Sequence, residues 1–271
     1  MKDTIQVNNA SFSYGDKQIF SGINLSVKQG ELFCILGPNG CGKTTLLDCI
    51  LGLLKLNNGN IIIDGSLLNS IKSNKIAEKM AYVPQVHQKS FPYTVKEIVL
   101  MGRAYKTTFI SSPTNEDKDI AIEAMKKVGI NHLADLPYTQ ISGGECQLVM
   151  IARALAQKPK IIIMDEPTAH LDFKNEIVLL ETVVDLIREN NISVIMATHF
   201  PNHAYYFENN NIPTTLGLMN NGIFEQVGSP SEVLNEKNIQ KTYQINSKIM
   251  NYKVDENTSV RQIIPLSIVK I

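Results

Sequence analysis

The feature that most constrains this chain is the stretch Gly37-Pro38-Asn39-Gly40-Cys41-Gly42-Lys43-Thr44, which fits G-x-x-x-x-G-K-[ST]. It follows the apolar run Leu32-Phe33-Cys34-Ile35-Leu36, the pattern of a strand buried on both faces, and it precedes Thr45 to Leu54, which reads as a helix. A strand, a glycine-rich loop and a helix in that order turn backbone N–H groups and a helix N-terminus toward phosphate oxygens. Lys43 then supplies a point charge to the β- and γ-phosphates, and Thr44 a hydroxyl to Mg²⁺.

With 271 residues the chain has ample length for a continuous core. Its 26 Lys and Arg balance 26 Asp and Glu, so no basic field favours nucleic acid as a partner. The longest apolar runs, such as Ile161 to Met164, fall far short of the ~20 residues of a membrane helix. The first residues, Met1-Lys2-Asp3-Thr4-Ile5-Gln6, carry no apolar h-region, which predicts a chain that stays in the cytosol. Cys34, Cys41, Cys49 and Cys146 form no C-x-x-C pair and read as reduced thiols without a metal cage.

The N-terminal segment alternates as half-buried strands do: Ile5 and Val7, Phe12 and Tyr14, then Ile23, Leu25 and Val27, with turns at Gly15-Asp16 and Gln29-Gly30. From about Phe91 to Lys158 the periodicity is helical: Val95, Ile98, Val99 and Met101; then Ile120, Ala124 and Val128, closed by Gly129; then Leu148, Ile151, Ala152 and Leu155. Between these runs, Ser111 to Asp119 reads as a polar surface loop containing Pro113. Strands are expected again at Ile161 to Met164 and Ile192 to Ala197, flanking an amphipathic helix with Ile177, Leu180, Val184 and Ile187. Strands alternating with helices predict an α/β fold with a mostly parallel sheet. Beyond Ser229 the pattern is mixed.

Two further constellations bear on phosphate chemistry. Asp165-Glu166-Pro167 closes a buried apolar run, where an open α/β sheet binds ligands; there Asp165 would hold Mg²⁺ through water and Glu166 would act as general base on a water. Ser142-Gly143-Gly144-Glu145 is a capping box, S-x-x-E, and its two glycines also expose backbone N–H groups at a helix N-terminus, a second phosphate site.

In this order and spacing the sequence resembles the ATP-binding subunits of ABC transporters, from about Ile5 to Leu234. Gly37 to Thr45 resembles their Walker A motif, including Thr45; Ile141 to Glu145 the signature motif; and Ile161 to Glu166 Walker B. The resemblance implies a P-loop NTPase (RecA-like) core with an N-terminal antiparallel β subdomain and a helical insertion. Residues 1–240 would form the ATPase domain, with the helical part at about 90–158 and residues 241–271 as an extension of it. It also implies that Tyr14 stacks on adenine, that Gln85 senses Mg²⁺ and contacts a membrane subunit, that Asp172 belongs to the D-loop, and that His199 positions the γ-phosphate.

Family resemblance further implies ATP and Mg²⁺ as ligands and a head-to-tail homodimer, in which Ser142 and Gly144 of one copy face the phosphate held by Lys43 of the other. The expected assembly is peripheral, on the cytoplasmic face of a membrane, with permease subunits and a solute-binding protein. Val99-Leu100-Met101-Gly102-Arg103 and Ala152 to Gln157 look most like ATPases of siderophore, haem and cobalamin importers, whereas Thr198 to Ala204 also fits molybdate or iron relatives. The rival reading is a soluble ABC ATPase serving a protein scaffold, as in iron–sulfur cluster assembly. Cys146 departs from the usual signature continuation, and Cys41, inside the phosphate loop, is expected to have a lowered thiol pKa.

Overall fold

The structure is a computed structural model and describes residues 3–85, 91–106, 112–169, 171–255 and 259–269. Two compact units divide the chain: Met1–Ser70 with Leu186–Ile271, and Ile71–Asp185.

In the first unit, β1 (Asp3–Tyr14) and β2 (Lys17–Lys28) form an antiparallel hairpin with the expected turn at Gly15-Asp16. Ile5, Val7, Phe12, Ile23, Leu25 and Val27 are buried as the alternation requires, but Tyr14 is 53% exposed. The strand β3 (Leu32–Leu36) is buried at every residue, as an apolar run without alternation demands. The helix α1 spans Lys43–Ile50, so it begins and ends earlier than the expected Thr45 to Leu54. Gly42, at φ 107°, serves as its N-cap, and the positive φ of Gly52 closes the turn after it. Strands β4 (Asn58–Ile63) and β5 (Ser66–Leu67) complete an antiparallel sheet in the order β2-β1-β4-β5.

The second unit begins with α2 (Ser73–Lys79) and β6 (Met80–Val83). Helices α3 (Val95–Leu100), α4 (Asn115–Lys127) and α5 (Gly143–Ala156) make the expected helical region. Here the expected loop from Ser111 to Asp119 is corrected: Thr114 caps α4 through a reciprocal bond with Asp117, so the helix begins at Asn115. Ser111 itself lies outside the described residues. Met101 starts a 3₁₀ turn and is exposed, and Gly129 follows α4 with φ 76° as expected of a helix stop. Most of α5 is buried around its whole circumference, which places it inside this unit's core. Strand β7 (Ile161–Asp165) pairs parallel with β6.

Helix α6 (Phe173–Asn190) leads back to the first unit. There β8 (Ser193–Thr198) and β9 (Thr214–Asn220) flank β3 in parallel, Leu32–Leu36 lying opposite Val194–Thr198 on one side and Thr214–Leu218 on the other. Between β8 and β9 runs α7 (Pro201–Asn209), and β10 (Ile223–Gly228) adds an antiparallel edge to β9. The tail that had no clear pattern folds as α8 (Pro230–Val233), α9 (Glu236–Tyr243) and a hairpin of β11 (Ile245–Lys253) and β12 (Ser259–Ile268). Parallel strands with helices and a separate antiparallel sheet give the α/β architecture that the sequence implied.

Candidate nucleotide site

In the first unit the glycine-rich loop leaves β3 at Leu36 and enters α1 at Lys43. Side chains are excluded from its two ends, Gly37 and Gly42. A Cβ on Gly37 would stand 2.2 Å from the Met219 carbonyl oxygen, and Gly42 adopts a φ that L side chains rarely take. Lys43 is 5% exposed and folds back over the loop, its Nζ donating to the carbonyls of Gly37 (2.9 Å) and Pro38 (3.1 Å). The ammonium is thereby held where the loop closes. Pro38 is half-buried, whereas Asn39 and Gly40 lie at its exposed rim; Cys41 is buried with its Sγ against Gly37. Thr44 is exposed and Thr45 half-buried at the start of α1, whose cap residue offers no side-chain acceptor. The N-terminus of such a helix favours an anionic ligand.

The same unit carries Tyr14, whose exposed ring packs edge-on against Phe12 at 4.8 Å, and His199, just past the end of β8. The ring of His199 lies on Phe200 with centroids 4.0 Å apart. Thr198 Oγ1 accepts from Phe200 N–H at 3.0 Å and lies 3.0 Å from His203 Nδ1. The turn that presents His199 is thus tied to the first turn of α7.

In the second unit, β7 ends at Asp165, which is 2% exposed, and Glu166 then turns into the left-handed region at φ 44°. Such backbone costs on the order of 1–3 kcal/mol for a non-glycine residue and concentrates at functional sites. It swings the Glu166 carboxylate out of strand alternation, where Oε2 accepts from Gln85 Nε2 at 3.4 Å. Around Ser142 the capping box is present in full: Glu145 Oε2 accepts from Ser142 N–H (2.8 Å) and Oγ (2.7 Å), and Ser142 Oγ accepts from Glu145 N–H (3.3 Å). Ser142 and Gly143 are exposed at the head of α5.

Asp172 caps α6, its Oδ1 accepting from Asn175 N–H at 2.8 Å. A Cβ on Gly144 would meet the Asn175 side chain at 2.5 Å, so the segment after Asp172 packs directly on the signature glycine. Sequence reasoning passed over Asn175, although Asp172-Phe173-Lys174-Asn175 is a legible helix start. It also passed over Gln147, 8% exposed, whose Nε2 donates to the carbonyl of Pro84 (3.3 Å), the residue before Gln85.

The family model described as ABC transporter matches residues 20–169. This chain belongs to the ABC transporter ATP-binding proteins. It is an ATPase subunit of that family and binds ATP. Relatives include the molybdate import ATP-binding protein MolC of Haemophilus influenzae, 32% identical over 90% of this chain and 90% of that one. A probable iron chelatin transport ATP-binding protein of Helicobacter pylori is 35% identical over 73% of this chain and 78% of its own length. Among solved structures, an inward-facing metal-chelate type ABC transporter, described as putative, superposes with a TM-score of 0.85 at 30% identity, covering 98% of both chains.

A loop that must keep glycine at Gly37 and Gly42, with Lys43 folded over it, fits a polyphosphate. Among the described residues no cluster of three or more His, Cys, Asp or Glu could cage a metal. The Thr44 hydroxyl in the first unit and the Asp165 carboxylate in the second are each a hard oxygen donor of the kind that Mg²⁺ takes.

Proposed function

We propose that this ABC ATPase powers a multi-subunit importer for an iron-siderophore, haem, cobalamin or related metal chelate or oxyanion. The observation that carries this reading is the superposition over 98% of both chains with a metal-chelate type transporter, which extends through the C-terminal hairpin. The relatives concerned with iron chelatin and molybdate lie within the same range of cargo.

On this reading Tyr14 stacks on adenine, and Gly37 to Thr45 wrap the phosphates with Lys43 as counter-charge. Thr44, Asp165 and Gln85 would hold Mg²⁺, which when bound would neutralise charge developing on the phosphoryl oxygens. Glu166 takes a proton from the attacking water, and Gln85 orients that carboxylate. His199 lies at the γ-phosphate. Two copies pair head to tail, so that Ser142, Gly143, Gly144 and Glu145 of one face the nucleotide of the other, with Asp172 beside them. Closing on ATP and reopening after hydrolysis would be passed to permease subunits. Among the described residues no helix is long and apolar enough to cross a membrane, which suits a peripheral subunit at the cytoplasmic face.

The test is to purify the tagged chain from its native membranes in mild detergent and identify its partners by mass spectrometry. A multi-span permease is expected, with a solute-binding protein that can be assayed against iron chelates, haem, cobalamin and molybdate. Soluble scaffold partners alone would overturn the importer reading in favour of a cluster-assembly role.

A further inference from the structure

The C-terminal hairpin is fastened to α7 by two asparagines. Asn202 donates from Nδ2 to the Ile263 carbonyl (3.1 Å) and accepts Ile263 N–H on Oδ1 (2.8 Å). Asn209 makes the same pair with Arg261, at 3.3 Å in each direction. A side-chain amide offers one acceptor and donors beside it, as a strand backbone does, and alternate residues of a strand present their N–H and C=O to the same side. The two asparagines, two helical turns apart, therefore act as the next strand for β12.

Apolar packing reinforces this clasp. Ile263 is 4% exposed and lies in one buried cluster with Ala204 and Tyr205 of α7 and with Leu36, the residue that precedes the phosphate loop. Tyr205 Oη donates to the Leu234 carbonyl at 2.7 Å, and the Arg261 guanidinium lies over the Tyr205 ring. At its other end α7 begins immediately after the turn of His199, and Thr198 closes that turn through Phe200 N–H.

We propose that Asn202 and Asn209 are positioning residues for His199, and that the C-terminal hairpin fixes the turn that presents this histidine by gripping α7. The proposal rests on the reading of His199 as the γ-phosphate contact. It gives residues 245–268 a part in turnover that their distance in sequence from every motif conceals.

The test uses the full-length chain in a double-mutant cycle. Replacing Asn202 and Asn209 together by Ala should lower kcat about tenfold, roughly the worth of lost hydrogen-bond anchoring, and leave affinity for a non-hydrolysable ATP analogue within about twofold. Amide exchange at Phe200 should accelerate alongside that at Arg261 and Ile263. In a His199→Ala background the same two substitutions should cost less than about twofold more, because their effect runs through the histidine. Asn202→Ala alone removes one pair of bonds and leaves that of Asn209 with Arg261; it should retain the fold with a loss of about threefold, and it carries the same cycle should the double truncation unfold the chain.

Losses that multiply on the His199→Ala background would overturn the proposal, since they mark a structural effect elsewhere. Wild-type kcat in both asparagine variants, or unchanged exchange at Phe200, would overturn it as well. Wild-type turnover of His199→Ala alone would remove the reading beneath it and the proposal together, a result distinguishable from failure of the clasp.

Discussion

Gln85 and Glu166, 81 positions apart, meet as amide donor and carboxylate acceptor, Nε2 to Oε2, at 3.4 Å. Glu166 reaches this contact only because its backbone leaves β7 in the left-handed region, which costs energy that a purely structural acidic turn need not spend.

If that carboxylate is the general base, Glu166→Gln should keep ATP affinity while turnover falls at least ~100-fold. Gln85→Ala, which removes the orienting amide and leaves the carboxylate, should fall by a smaller factor, about tenfold. Equilibrium binding and steady-state hydrolysis on the same preparations check both. Wild-type turnover of Glu166→Gln would take this residue out of the role.

The two signature glycines should respond differently to one added methyl. A Cβ on Gly143 meets nothing within 4 Å, whereas one on Gly144 lies 2.5 Å from Asn175 Cγ. Gly143→Ala should therefore fold with wild-type stability, and Gly144→Ala should lose about 1–3 kcal/mol, the usual cost of overpacking. Trimming Asn175→Ala in the Gly144→Ala chain should restore most of that loss. Urea unfolding of the four proteins measures it, and equal stability of the two single alanine variants would contradict the contact.

Much of this was legible from residues, and the failures have identifiable causes. The Gly37 to Thr44 spacing fixes a loop between a strand and a helix because phosphate-wrapping backbone needs glycine, and Ser142 with Glu145 is a cap on any reading. Thr114 and Asp117 form the same kind of box but sit beside Pro113 in a polar stretch, so the capping signal was masked by the turn signal. The C-terminal hairpin was opaque for another reason. Its outer residues Leu266 and Ile268 are exposed and apolar, Pro265 stands inside β12 where a strand is not expected from sequence, and much of what fastens it comes from amide side chains on a helix, 61 and 52 residues earlier in the chain. No local periodicity carries such a partner.

Cys41 should prove the sensitive thiol. Burial pushes the Cys34 thiol up to about 12, and burial together with Asp48 does the same for Cys49, so neither offers thiolate near neutral pH. Cys41 stands before the α1 N-terminus and packs on Gly37, inside the phosphate loop. Being 7% exposed, it should react slowly with a maleimide in the native chain. Stoichiometric labelling there should abolish ATP binding, while Cys41→Ser should bind ATP and resist the reagent. Peptide mapping with a binding assay decides the matter; full activity of the labelled protein would refute it.

The buried pair Arg103–Asp117 predicts how the helical region answers to acid. Arg103 is 1% exposed; its Nε donates to Asp117 Oδ1 at 2.9 Å and its Nη1 to the Ala156 carbonyl at 2.9 Å. Asp117 Oδ2 accepts from Thr114 Oγ1 and N–H at 2.8 and 3.1 Å. The Arg103 bond, then those from Thr114, hold this carboxyl down at about 2 from an ordinary 3.8. A depressed folded-state pKa means the stabilisation is complete above the unfolded value and drains away as pH falls from about 4 toward about 2. Asp117→Asn leaves the buried guanidinium without its counter-charge and should cost about 2–3 kcal/mol at neutral pH, the size that a carboxyl held at about 2 instead of 3.8 implies. The gap between wild type and variant should stay constant down to about pH 4 and close as Asp117 protonates, because the acid then carries no more charge than the amide. Denaturant unfolding at a series of pH values measures this, and a gap that persists unchanged at pH 2 would show that the pair contributes through packing and not through charge.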